Sequence, residues 1–297
     1  MLKIVSSGIL IAGLLFLTGC KEEVIDYQDA KFTDGVLYTK EGQPFTGKVN
    51  HFPDLNLGVD LQMDKFKVQF NLAAKESNDR SQAFYDRDKL CTAHFRKGLF
   101  EGEVRCMEPD SSTVRYVLNY KEGRLHGQAA IYDTTGKIPL ATARFNQGLL
   151  EGVLRTSTTS GALYSSFEMS KGKLSGKYEV FDPASGKPLV KAHFVDDEAD
   201  GEYVKFTKTG ILIFRGTYDH GKPVGVHEEF EPDTGALMIS KPYNNKGQAN
   251  GVMRVWRKGQ LMQEVTYVDG KAYFPDEDPD YLADPGTEGS QEPSEQL

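Results

Sequence analysis

Apolar residues along this chain come in short runs and not in long helical stripes. ATARF (Ala141–Phe145) and QAAIY (Gln128–Tyr132) have the length and composition of single strands. No long segment shows a clean 3.6-residue apolar period, so the pattern predicts strands and tight turns. The runs also recur. Glycines stand at positions 102, 127, 152, 176, 201, 225 and 251, at steps of 24 to 26 residues. Four residues before most of them is another glycine: Gly98, Gly123, Gly148, Gly172, Gly221 and Gly247. In the remaining copy that place is Asp197, a residue type that tolerates a left-handed backbone, which marks a turn position and not a ligand loop. Five residues after the second glycine comes a large apolar residue: Met107, Tyr132, Phe181, Phe206, Phe230 and Trp256, with Ser157 as the exception. A third glycine follows eight to ten residues after the second, as at Gly136, Gly186 and Gly235. An aromatic residue precedes many first glycines by three, as at Phe95, Tyr120, Phe145, Phe194 and Tyr218.

Weaker copies extend the array. Gly47 and Phe52 obey the glycine-plus-five rule, and Phe70, Ala73 and Ser77 sit 25 residues before Phe95, Gly98 and Gly102, as a degraded copy lacking both glycines. A half-copy ends at Phe274. The expected fold is all-β, an elongated single-layer antiparallel β-meander of about 25 residues per two-stranded unit, with glycine supplying the positive φ at each corner. At ~4.8 Å per strand, each unit advances about 10 Å. Stability in such an array is local and nearest-neighbour.

The unit F/Y-x-x-G-x-x-x-G-x-x-x-x-F/Y, with the leader DGVLYTKEGQPFTGKV (Asp34–Val49), resembles bacterial MORN-type repeats, and in particular the YwqK-type antitoxin family. The resemblance implies a repeat ribbon that scaffolds protein or lipid contacts, and it carries no catalytic motif.

The N-terminus reads differently. Lys3 is followed by an apolar run from Ile9 to Leu17, too short to span a bilayer and suited to a signal peptide. It ends in Leu17-Thr18-Gly19-Cys20, which resembles the lipobox of bacterial lipoproteins and implies acylation at Cys20. Lys21 after that cysteine implies the outer membrane, facing the periplasm, in a cell that has one. The expected organisation is a signal peptide over 1–19, a short tether over 20–32, the repeat array over 33–274 and a disordered acidic tail over 275–297. The chain's formal charge is −8, and the tail alone carries eight acidic residues with no Lys or Arg, so the array is close to neutral. It has no basic stripe, which argues against nucleic acid as a partner.

Nothing in the sequence points to catalysis, a cofactor or a metal. His126 lies between two turn glycines, where other copies have Glu101, Glu151, Ser175, Asp200, Val224 and Asn250, and this variability marks a solvent-facing turn residue. No metal-ligand spacing or nucleophile elbow occurs. The acidic stretch Asp196–Asp200 lacks the spacing of a calcium loop and reads as a solvated hairpin tip. Cys91 and Cys106 are more informative. With Phe95 opposite Gly102, paired residues sum to 197, which sets these cysteines opposite each other within disulfide reach. A one-residue slip would put them on opposite faces.

A single-layer sheet has two faces, and the candidate binding strip is Tyr132, Phe181, Phe206, Phe230 and Trp256 on one of them, with the pre-turn aromatics as a second ladder. The expected function is non-enzymatic: an envelope-anchored lipoprotein that binds a protein partner as scaffold or assembly factor. The alternatives are an immunity lipoprotein that neutralises a secreted toxin, and a binder of glycan such as peptidoglycan. Membrane contact would run through the acyl anchor.

Overall fold

The computed structural model describes residues 22–57, 61–76, 89–109 and 111–273. The expected signal peptide (1–19), Cys20, Ser77 and the acidic tail (275–297) lie outside the described residues. The chain forms one long open sheet in which each strand from Gly47 onward pairs antiparallel with the next one in sequence. The first strands are β1 (Val24–Asp26), β2 (Ala30–Thr33), β3 (Val36–Thr39) and β4 (Gly47–Pro53). After a helix α1 (Leu61–Glu76) come β5 (Leu90–Arg96) and β6 (Leu99–Met107), and the meander continues to Lys271–Tyr273.

Three expectations need correction here. The stretch 20–32 is not a free tether, because β1 pairs parallel with β4 and caps that edge of the sheet. Phe70 and Ala73 belong to no degraded strand pair; they lie in α1, and β4 pairs directly with β5, so the helix is an insertion in the meander. Its buried residues Met63, Phe66, Phe70 and Ala73 follow the i, i+3, i+4 spacing of one helix face, a stripe short enough to be overlooked among strands. Finally, Phe95 sits opposite Phe100 and not Gly102.

That last shift reveals what the glycines do. The pairs Cys91–Cys106 and Ala93–Val104 keep the sum of 197, while Phe95–Phe100 sums to 195, so a bulge around Gly102 absorbs two residues. The second glycine of each unit is therefore a bulge residue inside a strand, at φ +83° for Gly102. Only the first glycine makes the hairpin. Lys97 (φ 52°) and Gly98 (φ 80°) both adopt left-handed backbone, a two-residue type I′ turn, and the same pair of angles recurs at Glu122–Gly123, Lys171–Gly172 and His220–Gly221. Asp197, at φ 73°, takes the glycine place as its residue type allows.

The turns dock on the preceding unit through the amide of their second residue and, in five copies, through that of the first as well. The second turn residue donates its N–H two residues ahead of the previous bulge glycine: Gly98 to Phe45, Gly123 to Phe100, Gly148 to Leu125, Gly172 to Leu150, Asp197 to Leu174 and Gly221 to Ala199, all at 2.7–2.9 Å. The first turn residue, a non-glycine in an unfavourable region, is held by a side chain that precedes the bulge glycine. Glu101 accepts from the Glu122 amide, Glu151 from Lys171, Asp200 from His220 and Asn250 from Asp269, while Thr46 does the same for Lys97. The variable position is thus an inter-unit staple in those copies, not a merely solvated tip. Where Val224 stands there instead, the next turn widens to a loop closed between Asn244 and Gln248. Glu151→Ala should cost about 0.5–1.5 kcal/mol, the net worth of one such bond. Amide exchange at Lys171 is the direct readout: it should quicken in the variant, and unchanged protection would remove the staple role.

One face of the sheet carries the core. Leu37, Val49, Phe52, Phe66, Phe70, Val104, Phe145 and Leu154 are each 0–2% exposed. Two elements roof this face. The β2–β3 hairpin sets Phe32 edge-on to Phe52 with ring centroids 5.2 Å apart, and α1 sets Phe66 edge-on to Phe145 at 6.2 Å. The start of α1 marks the roof's limit, where Lys65 Nζ donates to the Gly172 carbonyl at 2.9 Å. Beneath the roof, Cys91 and Cys106 face each other across β5 and β6, fully buried and joined by a disulfide. Tyr116, also buried, donates its hydroxyl to Asp54 at 2.9 Å; burial first, and the Asp54 charge second, hold that phenol far above its usual range.

Candidate binding surface

Beyond Phe167 the same face continues, and among the described residues nothing roofs it. Phe167 stacks on Tyr178 at 4.6 Å, and the contacts run on from Tyr178 to Phe194 at 5.3 Å, from Tyr203 to Phe214 and Tyr218 at 6.0 and 5.9 Å, and through His227 to Tyr243 at 4.8 Å. These rings are half-buried, except Phe167 at 5% and His227 at 8% exposed. Its Nε2–H donates to the Thr217 carbonyl at 2.8 Å, and the imidazole lies against Gly216, where a Cβ would come within 2.9 Å of the ring. Burial first, and a neighbouring phenol second, push the hydroxyls of Tyr178, Tyr203 and Tyr218 above their ordinary value, so they stay neutral at physiological pH. Lys205 extends over the rings of Tyr203 and Phe214 at 5.4 and 5.6 Å, and Lys241 over Tyr243 and Tyr267 at 5.4 Å each.

The residue two places after each bulge glycine tracks the change of environment. Under the roof it is Val49, Val104, Ala129 and Leu154, all sealed. In the open half it becomes Tyr178, Tyr203, His227 and Met253. The backbone position is the same, but aliphatic groups give way to side chains with an apolar body and a polar or adaptable end, the residue types suited to a surface that is wet when free and dry when occupied.

The five residues expected as the candidate strip form a separate row. Tyr132, Phe181, Phe206, Phe230 and Trp256 each follow a ring-face position by one residue, at a register shift whose extra residue lies in the next strand, so they point to the opposite face. Each sits at a strand end against an apolar neighbour on the next strand: Tyr132 against Pro139, Phe181 against Pro188, Phe206 against Leu212, Phe230 against Leu237 and Trp256 against Leu261. They close the loops at that margin, and among the described residues no ring contact joins one of the five to another. The face between them is polar: Glu179 registers with Lys191, Arg215 Nε binds Glu228 at 2.9 Å, and Arg254 Nε binds Glu264 at 2.6 Å. The structure therefore separates the two aromatic rows, placing the pre-turn ladder on the core face and the glycine-plus-five row on the charged one.

Two polar clusters complete the survey. A cleft of about 420 Å³ lies at the β1 edge, lined in part by Glu22, Thr46, His94 and Glu101, and its polar groups are engaged, with His94 Nδ1 2.8 Å from Glu22. Asp200, Asp219 and His220 gather at one exposed hairpin, where the Asp200 carboxylate also serves as a staple. The hydrogen bond to Asp219 first, and the Asp200 charge second, raise the His220 pKa above its ordinary 6.5. A raised folded-state value means that the stabilising contribution is fully present below pH 6.5 and fades as pH rises through the folded pKa. An NMR titration should show His220 with a midpoint above 6.5 that moves back toward it in Asp219→Asn; a wild-type midpoint at or below 6.5 would refute the pairing.

No family model matches the chain, and no curated protein matches it. Among solved structures, a mutant of S. aureus TarM in complex with Fondaparinux, alpha-GlcNAc-glycerol and UDP aligns at 18% identity and a TM-score of 0.22, over 33% of this chain and 19% of that one. A second TarM structure aligns at 18% identity and a TM-score of 0.20, over 31% and 18%. The chain spans about a fifth of the length of that protein, and the likeness is too slight to indicate a shared fold.

Proposed function

We propose that this chain is a non-enzymatic binding protein that holds a protein partner across the unroofed half of its ring face, as a scaffold or assembly factor in a bacterial envelope. The observation that supports this most is the break in the roof: the ring face is covered by α1 and the β2–β3 hairpin in its first half and, among the described residues, left open from Tyr178 onward. Open apolar strips of this extent on a folded chain generally meet partners. The lipobox-like Leu17–Cys20 supplies the anchor in this reading, through acylation of Cys20, and among the described residues no helix is long and apolar enough to cross a membrane. Immunity against a secreted toxin uses the same surface and differs in the partner alone.

Affinity capture of the full chain from cross-linked native envelopes, compared with Tyr203→Ala, tests this. A near-stoichiometric envelope subunit or effector, lost in the variant, supports the reading. Equal recovery by both forms, or recovery of abundant envelope proteins only, refutes it. Sedimentation of the wild-type chain with purified cell wall in place of a protein partner would transfer the surface to glycan.

A further inference from the structure

Resting on that reading, we infer that the unroofed half receives an amphipathic α-helix of the partner, acidic along its flanks and laid on the ring ladder as α1 is laid on the sealed half. The chain itself shows what covers this face. In the sealed half the cover is a helix whose stripe, spaced 3, 4 and 3 residues apart, sets Met63, Phe66, Phe70 and Ala73 on the sheet and ends at the Gly172 hairpin. The sheet continues past that point with the same meander and the same pre-turn ladder, Phe145 being succeeded by Phe194, Tyr218 and Tyr243. A second helix of that kind would find the same spacing of rings, one helix diameter of ~10–12 Å covering about two strand spacings. The backbone amides of the interior strands are consumed by the ladder, so this face offers side chains and no strand edge, which suits a helix in a groove over β-augmentation.

Charge selects the flanks. The charged residues in register with the rings of the open half are Lys205, Glu229 and Lys241, and the two lysines lie flat over rings where an incoming carboxylate can pair with them at the margin of an apolar contact. The flanking residues of α1 include Lys65, Lys67 and Lys75, so the chain's own helix has the wrong charge for this half and the right one for its present seat beside Asp197.

The probe is a labelled peptide with the α1 sequence carrying Lys65→Glu, Lys67→Glu and Lys75→Glu, titrated against the purified full chain by fluorescence anisotropy, with a scrambled peptide of identical composition as control. Binding at least ~tenfold tighter than the scramble is expected, falling roughly tenfold in a Lys205→Glu/Lys241→Glu variant of the chain. Cross-links from the peptide should fall on Tyr203 and Tyr218. Affinity equal to the scramble, or cross-links centred on Phe145 because the peptide merely replaces α1, overturns the inference. So does binding that appears only after residues 275–297 are deleted, since the acidic tail is then the natural occupant. Concentration-dependent dimerisation abolished by the same lysine variant overturns it too, because the cover is then a second copy. The lysine variant alters exposed Lys205 and half-buried Lys241, neither in the sealed core, and should keep the wild-type circular dichroism. If the peptide fails while a partner is still lost from Tyr203→Ala in the envelope capture, the helix is wrong and the binding surface stands.

Discussion

Phe66→Ala should be the most destabilising single substitution in the roof, at about 3–5 kcal/mol. Phe66 is fully buried, lies edge-on to Phe145, and is the middle of the stripe that holds α1 on the sheet. Removing its ring leaves a cavity between helix and sheet that neither backbone can close, because the helix is tied at its start by Lys65 to Gly172. The effect should be local. Repeat arrays lose structure by neighbourhood, so exchange protection should fall in α1 and in the strands Pro139–Asn146 and Gly152–Ser157 while the strands from Leu212 onward keep theirs. Tyr203→Ala, in the unroofed half, should cost distinctly less because its ring is already half in water. Uniform loss of protection along the whole sheet on Phe66→Ala would contradict the nearest-neighbour picture.

Replacing the disulfide, as Cys91→Ala with Cys106→Ala, should cost about 3 kcal/mol, the loop-closure value for a bridge of this span. The sequence separation is 15 residues and the bridge ties β5 to β6 across the first full hairpin under the roof. Urea unfolding of the oxidised and the doubly substituted chains, followed through the N-terminal half, gives the comparison. The midpoint should drop in the double variant, and a reducing agent should leave the wild-type chain oxidised until that region opens, since both sulfurs are sealed. Coincident midpoints would show that β5 and β6 are already fixed without the bridge.

Much of this architecture was legible in the sequence, and what was missed follows from specific residues. The 25-residue glycine period gave the meander, and Asp197 in a glycine place marked the left-handed turn that the structure contains. The cysteine pairing also held, although the register around it did not: the bulge at Gly102 falls between Ala93 and Phe95 and leaves the pair untouched. A glycine inside a strand and a glycine in a turn look alike in sequence, because both require positive φ. The helix was hidden by its polarity, only four buried residues in 16, with Asp, Lys, Gln and Asn between them. The staple position looked like noise because Glu, Asp, Asn and Thr differ as residues while sharing one acceptor oxygen. The separation of the two aromatic rows has the simplest cause. Residues two and five places after a bulge glycine are an odd number apart, so on a regular strand they face opposite sides, and a count of aromatics does not record the side. The shift from Val, Ala and Leu to Tyr, His and Met at the glycine-plus-two position was readable throughout, but its meaning depends on knowing where the roof ends.

The most direct test of the open ring face places a photo-cross-linking amino acid at Tyr203 in one variant and at Phe230 in another, then irradiates intact envelopes. The two sites lie on opposite faces of neighbouring units. A discrete adduct from position 203, with none from 230, is the predicted result. An adduct from 230 alone would put the partner on the charged face and contradict the assignment of the unroofed ladder as the binding surface.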